Sequence, residues 1–186
     1  MASAPPSLGS ALRPRPVELL APAGNFEKLQ IALHYGADAV YVGGQAFSLR
    51  DQAGNFDARQ LEAAVSYTHD RDAKIYVACN IFARNSDLPG ITRFLARLAA
   101  LAPDGIIVSD PGVIKLARQV APGLPIHLST QANTTNRLSA RFWKELGVAR
   151  INAARELRLD EIRQMVDPRG PEVEVFVQGA MCMAYS

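Results

Sequence analysis

At 186 residues, with 48% hydrophobic and 20% charged residues, the chain has the size and composition of one globular domain, which excludes a disordered or fibrous polypeptide. No apolar run reaches the roughly 18 residues of a membrane span, and a formal charge of +2 is too small to argue for nucleic acid by itself. The two cysteines, Cys79 and Cys182, cannot staple a secreted mini-domain.

Residues 1–16 form a Pro-rich lead with neither the basic nor the apolar region of an export signal, so they read as a flexible extension of a cytoplasmic protein. From Val17 one rhythm recurs: a short apolar run, a polar or Gly-containing turn, then an amphipathic stretch. The runs Val17–Leu20, Ala39–Val42, Ile75–Ala78, Gly105–Val108, Ile126–Leu128, Ala149–Asn152 and Val173–Val177 read as buried parallel strands. Helices are expected over Asn25–Tyr35, capped by Asn25 and closed by Gly36, then over Asp57–His69 and Leu88–Leu101. Further helices are expected over Pro111–Val120, from Asn136 or Ser139 to Leu146 with Gly147 closing, and over Leu157–Met165.

Strand–helix alternation implies parallel strands with right-handed crossovers. A (β/α) barrel is favoured over an open doubly wound sheet. Polar residues follow almost every strand, and a barrel gathers those ends around one mouth, whereas an open sheet concentrates function at one switch point. No G-x-G-x-x-G follows the first strand. About seven strands are expected, with the eighth missing, so residues 17–186 read as the N-terminal portion of a barrel domain with two unpaired edges.

Several groups at that mouth carry candidate chemistry. Period two places His127, Ser129 and Gln131 on one face of an extended segment, either as a substrate pocket or as an internal hydrogen-bond network. With Asp110, His127 and Ser129 also form a hydrolase triad on paper, although no nucleophile elbow is present. Asp110 before Pro111 is the better N-cap. Asn80 and Asn133 are candidate polar contacts for a substrate. Arg50 and Arg155 are candidate clamps for a carboxylate or phosphate, Arg155 with Glu156 being alternatively an ion pair. Cys182 just past the last strand is a candidate nucleophile or single metal ligand. Cys79 reads as a core residue.

Six ordered segments carry a resemblance: Glu18-Leu-Leu-Ala-Pro-Ala-Gly-Asn25, Tyr35-Gly-Ala-Asp-Ala-Val-Tyr41, Ser109-Asp-Pro-Gly112, Ile126-His-Leu-Ser-Thr-Gln-Ala-Asn133, Arg155-Glu-Leu157 and Glu174-Val-Phe-Val-Gln-Gly-Ala-Met-Cys-Met-Ala-Tyr-Ser186. Together they resemble peptidase family U32, the collagenase-like protease group. The details at Phe47-Ser-Leu-Arg50 and Phe142-Trp143 are most similar to its bacterial tRNA-hydroxylating branch. That resemblance implies a TIM-like barrel, formation of 5-hydroxyuridine at the wobble position of tRNA, prephenate as co-substrate, and a 4Fe–4S cluster held by four cysteines. Cys182 matches the first of the four, and the others would lie beyond Ser186. Gln178 stands where the family usually has His, which keeps hydrogen bonding but not acid–base chemistry near neutral pH. Prephenate is a small dicarboxylate, which gives Arg50 and Arg155 a candidate ligand. Two alternatives stay open: a peptidase, and a truncated remnant without activity of its own.

Overall fold

The structure, a computed structural model, describes residues 17–44 and 55–179. Seven strands and six α-helices alternate: β1 (Leu20–Pro22), α1 (Phe26–His34), β2 (Ala39–Gly43), α2 (Ala58–His69), β3 (Lys74–Ala78), α3 (Leu88–Leu101), β4 (Gly105–Val108), α4 (Pro111–Val120), β5 (Ile126–Leu128), α5 (Arg137–Glu145), β6 (Arg150–Asn152), α6 (Leu159–Met165) and β7 (Glu172–Glu174). All neighbouring strands pair in parallel, in sequence order β1 to β7. This is an incomplete (β/α) barrel, as the sequence rhythm requires.

Helices α1, α2, α4 and α5 begin where short polar side chains satisfy free backbone N–H groups. Asn25 Oδ1 accepts from Lys28 N, Asp110 Oδ1 from Val113 N and Asn136 Oδ1 from Ser139 N. Asp57 and Gln60 form a reciprocal capping box on α2. Gly36 (φ +90°) and Gly147 (φ +81°) turn the chain out of α1 and α5 in the left-handed region.

The sheet has two faces. On the outer one, Val40, Val42, Ile75, Val77, Cys79, Ile106, Val108, Ile126, Leu128 and Ile151 pack under the helices in the main core. On the inner, concave face a smaller cluster of Ala39, Tyr76, Ala78 and Ile107, with Leu20 and Tyr41, lines the middle of the barrel.

Three sequence expectations are corrected. The first strand starts at Leu20 rather than Val17, because Leu20 is the first residue opposite β2 and the Leu19 amide turns to the Asp38 carboxylate. The last strand ends at Glu174 rather than Val177, because its partner β6 stops opposite it at Asn152. The extended alternation through Gln131 breaks after Ser129: Thr130–Ala132 form a 3₁₀ turn that ends on Asn133 in the left-handed region (φ 53°). Gln131 therefore does not continue the line of His127 and Ser129.

Candidate active site inside the barrel

The inner face carries side chains of alternate strand residues. In β6 and β7 Asn152 stands opposite Glu174, and Asn152 Nδ2 donates to Glu174 Oε1 at 2.9 Å. On β5 and β4 Ser129 and Ser109 lie one step past the last paired residue and Asn80 lies two steps past the end of β3, so they share the face of His127, Ile107 and Ala78. A polar row, Asn80–Ser109–Ser129–Asn152–Glu174, thus crosses five adjacent strands near their C-terminal ends. That end of a barrel is where loops can converge on a ligand.

This row is under-satisfied. Asn80 Oδ1, Asn152 Oδ1, Glu174 Oε2 and, one layer deeper, His127 Nδ1 are buried without a hydrogen-bond partner among the described residues. A buried acceptor left unpaired costs about 1–3 kcal/mol, so the Asn80, Asn152 and Glu174 oxygens can accept from water or from a ligand that brings hydrogen-bond donors. Burial pushes the Glu174 carboxyl above the usual carboxylate range, against the pull of Arg150 with its Nη1 3.6 Å away. At the rim the Arg155 guanidinium lies over the Phe176 ring, 4.0 Å from its centroid.

The opposite, N-terminal end holds a charge cluster. Glu18, just ahead of β1, accepts from Arg150 Nη1 at 2.7 Å and Tyr76 Oη at 2.8 Å through Oε1, and from Lys74 Nζ at 2.8 Å through Oε2. Arg150 also grips Glu172 Oε2 through Nε at 3.1 Å and Nη2 at 2.9 Å. Burial alone would raise the Glu18 carboxyl, but the hydrogen bonds from Arg150, Lys74 and Tyr76 outweigh it and hold the pKa at about 2. Burial raises the Tyr76 phenol. The hydrogen bonds that Arg150 donates to Glu18 and Glu172 raise its pKa in spite of its burial. A cluster at this end of a barrel serves stability rather than turnover.

His127 belongs between the two ends. Its ring sits 4.5 Å from the Tyr76 ring, and burial followed by the Arg150 charge lowers its pKa to about 3. Gly105 makes room for it: a Cβ there would lie 3.2 Å from His127 Nε2 and 3.1 Å from the Pro125 carbonyl oxygen. His127 is thus a neutral, packed imidazole at physiological pH.

The structure brings together only part of the site read from the sequence. Ser129 and Asn80 line the inner row. Ser129 Oγ approaches Gln131 Oε1 at 3.5 Å, while Asn133 is exposed on the 3₁₀ turn. Asp110 is occupied as the α4 cap, and neither it nor Ser129 hydrogen-bonds His127, so the paper triad does not form. Gln178 is exposed beyond β7. Arg50 and Cys182 lie outside the described residues. Glu18, Lys74, Tyr76, Arg150, Asn152, Glu172 and Glu174 escaped the sequence reading. Their signal was polar letters at period two, Lys74-Ile-Tyr76, Arg150-Ile-Asn152 and Glu172-Val-Glu174, on the face opposite the aliphatic residues.

The described residues do not fit a 4Fe–4S cluster. Cys79 is fully buried under the helices, where burial pushes its thiol up to about 12, the wrong direction for a thiolate ligand. Among the described residues no three His, Cys, Asp or Glu side chains are grouped as a metal site. No helix of the described residues is long and apolar enough to cross a membrane.

Comparison with known proteins bears on this barrel. Residues 24–186 match the profile of Peptidase family U32. The chain is 48% identical over 169 residues to tRNA hydroxylation protein P1 of Bacillus subtilis (strain 168), covering 91% of this chain and 40% of that protein. It is 49% identical over 174 residues to tRNA hydroxylation protein P of Helicobacter pylori (strain J99 / ATCC 700824), covering 91% and 41%. The chain therefore spans about two fifths of the length of these relatives. Among solved structures, the U32 peptidase Mk0906 superposes with a TM-score of 0.68 at 16% identity, over 92% of this chain and 72% of that one. A likeness at that identity speaks to the fold alone.

Proposed function

The chain belongs to peptidase family U32, and we propose that it is part of an enzyme that hydroxylates uridine in tRNA. The observation that carries this reading is identity of 48–49%, over 91% of the chain, to two proteins named for tRNA hydroxylation. In this reading residues 17–186 are the N-terminal portion of the barrel and 1–16 an extension ahead of it. The protein works in the cytoplasm, where its tRNA is.

The inner polar row is the substrate site in this proposal. A uracil ring presents an imide N–H and two carbonyls. Asn152 Oδ1, Asn80 Oδ1 and Glu174 Oε2 are acceptors in want of a donor, and Ser109 and Ser129 bring hydroxyls to the same face. Arg155, backed by the Phe176 ring, is the described cation at the rim for an anionic co-substrate, and prephenate, a small dicarboxylate, is the candidate. His127, held neutral, orients the layer beneath and carries no proton in turnover near neutral pH.

The 4Fe–4S cluster enters only through Cys182, on the family resemblance, because Cys79 does not fit it. Such a cluster supplies electron transfer when bound. Iron and acid-labile sulfide measured on the protein carrying this chain, against its Cys182→Ser variant, test that assignment separately. Proteolysis finds no support among the described residues, where His127, Ser129 and Asp110 make no hydrogen-bonded relay.

The test of the function is nucleoside mass spectrometry of tRNA from cells deleted for their own tRNA hydroxylation proteins and supplied with the protein carrying this chain. Return of 5-hydroxyuridine supports the proposal, and its continued absence beside soluble protein overturns it.

A further inference from the structure

The near-neutral total charge hides a one-sided distribution. Helices α3 and α4 each carry two Lys or Arg and no carboxylate, and α5 carries three against Glu145 alone. The other helices of the same barrel are balanced: Lys28 against Glu27 in α1, Arg59 against Glu62 in α2, Arg163 against Asp160 and Glu161 in α6. The basic helices are consecutive on the outer wall. Helix α3 packs on α4, and Arg118 of α4 reaches the turn at Gly147 that ends α5.

Arg97 donates to the Ala58 carbonyl, but four of the seven cations are not spent within the fold. Arg93, Lys115, Arg137 and Lys144 are exposed, and none of them forms an ion pair among the described residues. Nearby, Arg141 and Arg169 share the single carboxylate of Asp167, at 3.0 and 3.8 Å. Phe142 stands 53% exposed on the same wall, a ring face that an unpaired base could stack on. A rigid wall three helices wide, about 30 Å, with unpaired cations and almost no carboxylates has the electrostatic character of a surface that meets a polyanion.

We propose that the outer wall of α3, α4 and α5 is the surface on which the RNA backbone docks, holding the tRNA body while a nucleotide reaches the mouth of the barrel. This rests on the tRNA reading above. It adds a site on the outside of the barrel, remote from the inner polar row. Arg137, the first residue of α5, stands nearest the strand C-terminal ends, and Lys144 lies toward the other end of the same helix. The wall therefore extends the contact from the rim down the side of the barrel.

The experiment is binding of an unmodified tRNA transcript to the protein carrying this chain, across a salt series. Replacing Arg93, Lys115, Arg137 and Lys144 by Gln should weaken binding at least about ten-fold near 0.1 M salt. It should also flatten the plot of log K against log salt by about 3, since each phosphate contact contributes roughly 0.7–0.9 to the slope. A control with Lys28, Arg59 and Arg163 changed to Gln should stay within about three-fold of wild type. Matched unfolding midpoints for both variants exclude loss of fold. Unchanged affinity and slope in the first variant, an equal loss in the control, or wild-type binding that is absent or indifferent to salt overturns the wall. Binding that follows the wall while tRNA gains no 5-hydroxyuridine overturns the hydroxylase reading and leaves the wall standing.

Discussion

Arg150 Nη1 and Glu18 Oε1 meet at 2.7 Å across 132 positions of sequence, joining the sixth strand to the segment ahead of the first. The contact spans the interior of the barrel rather than one strand pair, so it measures how far the sheet has curled. Both side chains are largely withdrawn from solvent, at 11% and 19% exposure, and Glu18 also takes Lys74 and Tyr76 of β3. One carboxylate therefore ties three separate stretches of chain at the N-terminal end.

Removing either partner takes the shortest contact from a largely buried charge, a costly change for an ion pair even though Lys74 and Tyr76 still face Glu18 and Glu172 still faces Arg150. Arg150→Met should destabilise the barrel by about 3 kcal/mol, and Glu18→Gln by about 2 kcal/mol, read by denaturant unfolding. The pair also sets acid stability. Glu18 is held at about 2 when folded, against 4.5 unfolded, so the unfolded chain binds the extra proton between these values. Its contribution is complete above pH 4.5 and is lost as pH falls toward 2. In Glu18→Gln that part of the acid slope should vanish. A slope identical to wild type would show that the pair does not anchor the barrel.

His127 adds a second acid-sensitive step in a higher window. Its pKa is about 3 folded against 6.5 unfolded, so the unfolded chain again binds the extra proton. Stability from this group is complete above pH 6.5 and erodes below it. NMR titration from pH 5 to 8 should leave the His127 ring unshifted. A His127 midpoint near 6.5 would mean the ring is solvated and free to act as a base.

The strand–helix order and the helix starts were legible because they depend on neighbours in sequence. Asn25, Asp110 and Asn136 cap α1, α4 and α5 from the position just before the first turn, and Gly36 and Gly147 close α1 and α5 with positive φ. The rim residues Asn80, Ser109 and Ser129 were legible as polar letters after apolar runs. The Glu18–Lys74–Tyr76–Arg150–Glu172 cluster was not. Its members are single polar letters at strand starts, and they meet only because the sheet curves. Asn152 and Glu174 were missed because each looks like the polar half of an ordinary alternation, and only the parallel register sets them opposite one another. Gln131 was misplaced because periodicity does not show where a strand turns into a 3₁₀ step.

Gly147 combines two constraints. Its φ of +81° is one that L side chains rarely adopt, and an added Cβ would displace the Arg118 guanidinium, the far end of a flexible side chain that can swing aside. Gly147→Ala should cost about 1 kcal/mol from backbone strain, close to Gly36→Ala, which has φ +90° and open space around it. A loss at Gly147 well beyond that at Gly36 in thermal unfolding would show that Arg118 is held rigidly against the turn.

Glu174 should show opposed effects on stability and function. Burial raises its folded pKa, so its ionised form is penalised in the folded state, and the penalty grows as pH rises through the folded value. Glu174→Gln keeps the hydrogen bond from Asn152 in reach and removes the charge. The unfolding midpoint at neutral pH should rise, on the order of 2 °C. A lower midpoint would mean that the 3.6 Å approach of Arg150 outweighs desolvation.

The central claim is that the inner polar row holds the nucleotide to be hydroxylated. The most direct measurement is 5-hydroxyuridine in tRNA, by nucleoside mass spectrometry, in cells lacking their own hydroxylation proteins and supplied with wild-type protein or its Asn152→Leu or Glu174→Gln variant at matched soluble levels. The account predicts that wild type restores the modified nucleoside and that each variant yields at least about ten-fold less. Full restoration by both variants, or none by wild type, would contradict it.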